Sequence, residues 1–240
     1  MSETINILFL ASNPTDISRI RVDKELREVD ERISLGSHRD RFDLRPHFAV
    51  RPRDLRRGLL KHKPHILHFS GHGSTSAGIV LEDDDGKTKV VAAADLAELL
   101  GILKDNLRVV VLNSCYSALQ ASGITQTIDC AIGMNDKVGD QSAIIFAATF
   151  YESLAFGRSV TEAFKLGVVD LKTEGTGSGG IPTLLTRQGA DLAKVYLATD
   201  EKNSAEPQKA GGSASGGNKM ITVGGGSTLN AGHDANLSIS

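Results

Sequence analysis

The stretch that decides the fold is His65-Ile66-Leu67-His68-Phe69-Ser70-Gly71-His72-Gly73, an apolar run that ends in small residues. A second run, Val109-Val110-Val111-Leu112-Asn113-Ser114-Cys115, has the same form. Such short apolar segments are typical of buried parallel strands that reach the carboxyl edge of a sheet. Open α/β folds place their chemistry at that edge. His72, between two glycines, and Cys115, at the end of its run, therefore predict a base and a nucleophile that share one site.

Two motifs carry a resemblance to a known family. His68-Phe69-Ser70-Gly71-His72-Gly73, followed by Leu112-Asn113-Ser114-Cys115-Tyr116-Ser117, resembles the signature of the caspase-like peptidases of the CHAT family, which are bacterial relatives of caspases, metacaspases and separases. The resemblance covers residues 5 to 198 and includes the order of the motifs, histidine before cysteine. It implies an α/β fold: a caspase-like sandwich of a mostly parallel sheet with helices on both faces.

The resemblance also implies an activity, a cysteine endopeptidase that cleaves protein or peptide substrates without a cofactor. In that chemistry a thiolate attacks the scissile carbonyl while an imidazole supplies a proton to the leaving amine. Cys115 is then the nucleophile and His72 the acid/base, and the backbone N–H groups of Gly73 and Cys115 form the oxyanion hole. Two alternatives stay open from the residues alone: a structural loop histidine at 72 and a buried strand-end thiol at 115.

Two residues are candidates for binding the substrate residue on the amino side of the scissile bond, called P1. Metacaspases carry an aspartate two residues before the nucleophile that pairs with a basic P1 side chain, and Asn113 stands at that position here. Asp136, which follows the next predicted strand, aligns with an acidic position common in CHAT-type domains. The resemblance implies that Asp136 contacts P1, and the alternative is a plain loop carboxylate.

A zinc site is a competing interpretation, because four histidines lie within residues 62–72. In a strand, however, His65 and His68 point to opposite faces, and no cysteine pair or carboxylate lies nearby at ligand spacing. We therefore expect no metal. We expect His68 to pack behind the loop that carries His72 and to support that loop.

Composition narrows the class of protein. The 240 residues suffice for one sizeable α/β domain and an appendage. The net charge of −2 argues against a dominant nucleic-acid surface, and the basic band at residues 51–63 lacks the interleaved aromatic residues that bind single strands, so it reads as a solvated helix face. The sequence contains no uninterrupted apolar stretch of about 20 residues, so it predicts no membrane-spanning helix.

Cysteine usage and the start of the chain bear on location. Residues 1–4 are acidic rather than basic, unlike a secretory signal. Cys115 and Cys130 are too few for a disulfide framework, and two free thiols suit a reducing compartment, so we expect a cytoplasmic protein. Cys130 lies in an apolar run, which favours a buried packing role.

The hydrophobic pattern predicts alternating strands and helices, and therefore a mostly parallel sheet. Pro46 interrupts the ladder of the second strand and suggests that it lies at an edge. The predicted elements are a strand at 5–10, a helix from Ser18 to Gly36, an edge strand at 42–50, a helix at 52–61, strands at 65–73 and 109–115, a hairpin at 78–91, helices at 96–103, 141–156 and after Ser159, and strands at 130–134, 181–185 and 195–197.

The end of the chain predicts a different organisation. A caspase-like peptidase domain spans 1–199, a Gly/Ser/Ala-rich linker 200–218, and a tail of short β-prone pieces 219–240. Stacked with other copies, such a tail could form a cross-β assembly, and a disordered tail is the alternative. It loosely resembles the amyloid-like motifs that bacteria place on signalling effectors and their sensor partners.

The resemblance to the CHAT family, together with the resemblance of the tail to signalling motifs, implies a signalling or antiviral defence effector. A sensor or scaffold partner, or self-assembly into an oligomer through the tail, would activate it. The alternatives are an inactive caspase-like module that binds peptides or partners, and a fibre-forming protein that carries the globular domain.

Overall fold

A computed structural model of the protein describes residues 4–74, 78–191, 195–198 and 220–221. Its strands are β1 (Ile5–Ala11), β2 (Phe42–His47), β3 (Ile66–Ser70), β4 (Gly73–Ser74), β5 (Gly78–Glu82), β6 (Thr88–Ala92), β7 (Val109–Asn113), β8 (Cys130–Met134), β9 (Pro182–Thr186) and β10 (Met220–Ile221). Its α-helices are α1 (Val22–Ser34), α2 (Pro52–His62), α3 (Ala93–Ile102), α4 (Ala118–Ile124), α5 (Asp140–Ala155) and α6 (Val160–Thr173). A short 3-10 helix, Arg39–Arg41, precedes β2.

A central sheet runs through the molecule in the order β10-β9-β8-β7-β3-β1-β2. The five strands from β8 to β2 are parallel, and β9 and β10 join them in antiparallel pairings. β2 lies at an edge, as its Pro46 predicted, because proline has no backbone N–H to donate to a neighbouring strand. The predicted hairpin forms a separate small sheet, β4-β5-β6, beside the carboxyl end of β3.

Helices cover both faces of the central sheet, which confirms the predicted α/β architecture. Side chains alternate along β1, so Ile7 packs into the core shared with α1, α5 and α6, while Leu8 and Leu10 pack into the core shared with α2, α3 and α4. Both cores consist mainly of fully buried aliphatic and aromatic side chains. The central parallel strands are therefore packed on both faces.

Local signals account for several helix ends. Ser159 caps α6: its hydroxyl accepts from the Glu162 N–H, and the Glu162 carboxylate accepts from the Ser159 N–H. Pro52 begins α2, at the position where its missing N–H costs nothing. Both boundaries agree with the predicted ones.

One predicted strand is wrong. Residues 195–197 form no strand; the Val195 carbonyl instead accepts from the Val160 N–H at the start of α6, and the Val195 side chain is buried in the core. Its apolar character reflects burial against a helix start rather than sheet pairing. The predicted linker 200–218 lies outside the described residues, as does the predicted tail 219–240 apart from Met220 and Ile221, which pair with Leu185 and Leu184 of β9.

Candidate active site

The loops after β3 and β7 meet at the carboxyl edge of the sheet. Ser70 and Asn113 are paired in the parallel register, so His72 and Cys115 each lie two residues beyond the pair. Both line one cavity of about 40 Å³. The remaining lining comes from α1 and the segment before it, from the ends of β3 and β7, and from the segment around the start of α5: Ile20, Arg21, Val22, Glu25, Ser70, Gly71, Asn113, Ser114, Val138, Asp140, Ala143 and Ile144.

A backbone carbonyl orients the imidazole of His72. The His72 Nε2 lies 2.8 Å from the carbonyl oxygen of Ser18, in the loop after β1. A carbonyl can only accept, so Nε2 carries the proton and donates it. In the neutral ring the lone pair then belongs to Nδ1, which is the nitrogen available as a base.

Gly73 lets the two loops touch through their backbones. A Cβ at position 73 would overlap the carbonyl oxygen of Cys115 and lie 3.1 Å from its nitrogen. Such close backbone approach requires glycine. The peptide groups of Gly73 and Cys115, the pair predicted for the oxyanion hole, are therefore immediate neighbours.

The turn that carries Cys115 is tightly held. Its Sγ lies 3.7 Å from the Val138 carbonyl oxygen, and its side chain is half-buried. Tyr116 adopts a left-handed backbone with φ of 58°, a strained conformation for a bulky residue. Ser117 ties the turn to β8, because its hydroxyl accepts from the Met134 N–H and lies 2.7 Å from the Leu112 carbonyl oxygen. Strain that is held in place by surrounding bonds is common at functional sites.

The second cysteine has a different environment. Cys130 opens β8 at the opposite end of the sheet and is fully buried. Burial raises the pKa of its thiol far above the ordinary value, so it remains protonated and unreactive. Cys130 packs in the core, as predicted.

Below the cavity lies a buried polar cluster that the sequence reasoning missed. The carboxylate of Glu25, on α1, accepts hydrogen bonds from Ser70 Oγ at 2.7 Å and from Asn113 Nδ2 at 2.6 Å. It also lies 2.7 Å from His68 Nε2, and His68 Nδ1 lies 3.1 Å from the Tyr151 hydroxyl. His68 is fully buried, as predicted, and it braces the strand behind the His72 loop.

A signal for Glu25 does exist in the sequence. It lies three residues after Val22 and four before Val29, so it belongs to the apolar face of the predicted helix. A carboxylate on such a face must find polar partners, because burial of an unpaired charge is costly.

Comparison with known families settles what kind of domain this is. Residues 19–171 match the family described as CHAT domain, a span that contains Glu25, His72 and Cys115. The chain belongs to the CHAT domain family. The predicted family resemblance is thereby confirmed.

Two curated relatives whose names denote proteases are similar to this chain. A "Probable protease" of Gillisia limnaea is 29% identical over 156 residues, covering 63% of this chain and 27% of the relative. A "Roc-COR-CHAT protease" of an unknown prokaryotic organism is 26% identical over 186 residues, covering 74% of this chain and 17% of the relative. The chain thus spans about a quarter or less of the length of these relatives.

The fold of the CHAT domain also resembles a solved cysteine protease. A secreted C11 cysteine protease from Bacteroides thetaiotaomicron, in complex with an irreversible peptide inhibitor, superposes with a TM-score of 0.56 at 11% identity, covering 76% of this chain and 65% of that one. At this identity the likeness concerns the fold alone. It confirms the caspase-like α/β fold class.

The CHAT domain places the two predicted substrate-binding residues differently. Asn113 lines the cavity, but Asp136 is exposed and is not among the lining residues. Its backbone carbonyl accepts from the Tyr116 N–H, and the negative charge of its carboxylate raises the pKa of the Tyr116 hydroxyl. Asp136 therefore lies beside the turn after Cys115, outside the cavity.

The part of the chain that the structure describes contains neither a candidate metal site nor a candidate membrane-spanning helix. No three or more His, Cys, Asp or Glu side chains gather there as a metal-binding group. None of the helices there has both the length and the apolar character needed to cross a membrane.

Proposed function

We propose that this CHAT domain is a cysteine endopeptidase in which Cys115 is the nucleophile and His72 the acid/base. The observation that carries the proposal is that both side chains line one cavity while the Gly73 and Cys115 backbones touch beside it. The protease names of the two relatives support the same reaction class.

The proposed reaction follows from the orientation of His72. With Nε2 bonded to the Ser18 carbonyl, Nδ1 accepts the Cys115 proton, and the thiolate attacks the scissile carbonyl carbon. The imidazolium then returns the proton to the leaving amine, which leaves an acyl-enzyme. Water, deprotonated by the same imidazole, hydrolyses the thioester and regenerates the thiol.

The N–H groups of Gly73 and Cys115 are the proposed oxyanion hole. A donor aimed at the developing oxyanion is worth roughly 3 kcal/mol in the transition state. The close approach of these two peptide units supports the assignment. Asn113 is proposed to line the P1 subsite. Contact of Asp136 with P1 stays a prediction, and it would occur outside the cavity, beside the turn after Cys115.

A peptide library tests the endopeptidase proposal. Wild-type protein should cleave a subset of peptides, and Cys115→Ala and His72→Ala should each reduce cleavage to background. Peptide binding without cleavage by the wild type would overturn the proposal and favour an inactive interaction module.

We also propose that the domain is a cytoplasmic effector in bacterial signalling or defence, activated by a sensor partner or by self-assembly through residues 219–240. The β-prone tail pieces support assembly, and two free thiols suit the reducing compartment. In both relatives the matched region is a minor share of a longer chain.

Truncation tests the role of the tail. Removal of residues 222–240 keeps β10 paired with β9 and should leave a folded domain that forms no dye-binding fibrils, whereas the full chain forms them. Fibrils from the truncated protein would show that assembly resides elsewhere. Sedimentation of the full chain as fibres without any peptidase activity would favour a structural protein instead.

A further inference from the structure

The cavity beside His72 and Cys115 has an acidic floor. Glu25 is only 4% exposed and lines the cavity, held there by Ser70, Asn113 and His68. Among the residues that the structure describes, no lysine or arginine forms an ion pair with it. Two of its three partners, Ser70 and Asn113, are neutral donors that do not balance its negative charge.

Two further buried atoms in the same cavity lack partners. Asn113 Oδ1 and Ser114 Oγ belong to side chains that are 3% and 1% exposed, and within the described residues neither has a hydrogen-bond partner. Asn113 Nδ2 donates to Glu25 and to the Ala143 carbonyl, which fixes the orientation of the amide, and its oxygen remains as an acceptor. Buried acceptors without partners are costly, and an incoming donor relieves that cost.

The walls of the cavity suit an aliphatic stem. Most of the lining residues nearest the start of α1 and the start of α5 are apolar: Ile20, Val22, Val138, Ala143 and Ile144. A volume of about 40 Å³ is too small for an aromatic ring and admits the end of an unbranched side chain. Arg21 also lines the cavity, but its guanidinium is exposed and pairs with Asp23 at 3.4 Å.

We propose that Glu25 is the specificity-determining residue for P1 and selects a cationic side chain, lysine in the first instance. The stem of lysine would lie along the apolar walls and its compact ammonium would donate to Glu25, Asn113 Oδ1 and Ser114 Oγ. The inference rests on the proposed peptidase function.

Matched fluorogenic peptides that differ only at P1 test the assignment. Norleucine is the informative partner of lysine because it keeps the stem and lacks the ammonium. Wild-type protein should cleave the lysine peptide with a kcat/KM at least about 10-fold above that of the norleucine peptide, since a site with buried acceptors discriminates against a substrate that lacks the donor. An equal or higher rate for norleucine would overturn the inference.

Substitutions in α1 test whether Glu25 is the residue that gives the preference for lysine at P1. Glu25→Gln should lower the lysine-to-norleucine ratio of kcat/KM at least about 10-fold, and Glu25→Asp should retain part of the ratio because it keeps the charge. The control Glu31→Gln makes the same change at an exposed position of the same helix and should leave the ratio unchanged. A ratio that survives in Glu25→Gln would overturn the role of Glu25.

The outcomes separate the two proposals. If the wild type cleaves no P1 variant, the peptidase proposal fails. If cleavage depends on Cys115 but shows no preference for lysine over norleucine, the peptidase proposal stands and the Glu25 inference alone fails. Should Glu25→Gln not fold, competition between lysine and norleucine peptide aldehydes for the wild-type protein decides, with equal inhibition counting against the inference.

Discussion

The two ends of the strand pair β7 and β8 each hold one cysteine, in opposite surroundings. At the amino end Cys130 is sealed in the core, and the neighbouring Asp129 carboxylate pairs with Arg108 and with Arg187, the latter at 2.7 Å. At the carboxyl end Cys115 is half-buried at the wall of a cavity. The same side chain is thus a packing element at one end of the sheet and accessible at the other.

Among the described residues, buried side-chain oxygens without partners lie at only one of these two ends, whereas a buried nitrogen without a partner, Arg187 Nε, lies at the other. In the described part of the chain, the buried side-chain oxygens without partners belong to Ser12, Asn113 and Ser114, and all three lie at the carboxyl ends of β1 and β7. The strained Tyr116 lies there too. The amino end therefore supports folding, while the carboxyl end keeps groups that are unfavourable in the free protein and available to a substrate.

Replacement of each cysteine by alanine should give the largest difference between the two ends of the strand pair. Cys115→Ala should reduce peptide cleavage by on the order of 10⁴-fold or more with an unchanged melting temperature, because the nucleophile is lost and little packing changes. Cys130→Ala should keep cleavage and lower the free energy of unfolding by about 1–2 kcal/mol, because it leaves a small void in the core. Peptide kinetics and thermal unfolding of both variants check this, and a loss of cleavage in folded Cys130→Ala would contradict it.

Disruption of the close contact between the loops at the carboxyl end should give the second-largest effect. Gly73→Ala should lower kcat/KM by about 100-fold, because its Cβ forces the Cys115 peptide away from the oxyanion position. Gly180→Ala is the matched control, since a Cβ there meets no atom within 4 Å. Near-normal activity of Gly73→Ala would show that the two peptide units do not act together.

The ion pairs at the amino end should give the smallest effect. Burial alone would raise the pKa of Asp129, but hydrogen bonds from Arg187 and Arg108 outweigh it and lower that pKa. A depressed carboxyl pKa stabilises the folded state above the unfolded pKa, and the stabilisation is lost as pH falls through the folded one. Asp129→Asn should therefore cost about 1 kcal/mol at pH 7, after allowance for the half-exposed arginines, and progressively less as pH falls below the ordinary carboxyl pKa. Denaturant unfolding over a series of pH values measures this, and a cost that does not decline in acid would exclude the ion pairs as its origin.

Much of the fold followed from local patterns, and parts of the site did not. The runs that end at His72 and Cys115 predicted neighbouring parallel strands, because a short apolar run that ends in small residues is visible in the sequence itself. The Ser18 carbonyl left no such signature, since any residue supplies a carbonyl. Glu25 stood on the apolar face of a predicted helix, but only the tertiary crossover brings that face against β3 and β7.

The most direct test of the account is labelling by an electrophilic peptide probe, read by mass spectrometry of the modified residue. We predict a single covalent adduct on Cys115 in the wild type, no adduct in Cys115→Ala, and labelling at least about 100-fold slower in His72→Ala. Adduct formation on Cys130, or a rate at Cys115 that does not change when His72 is replaced, would contradict the proposal that these two residues act as a pair.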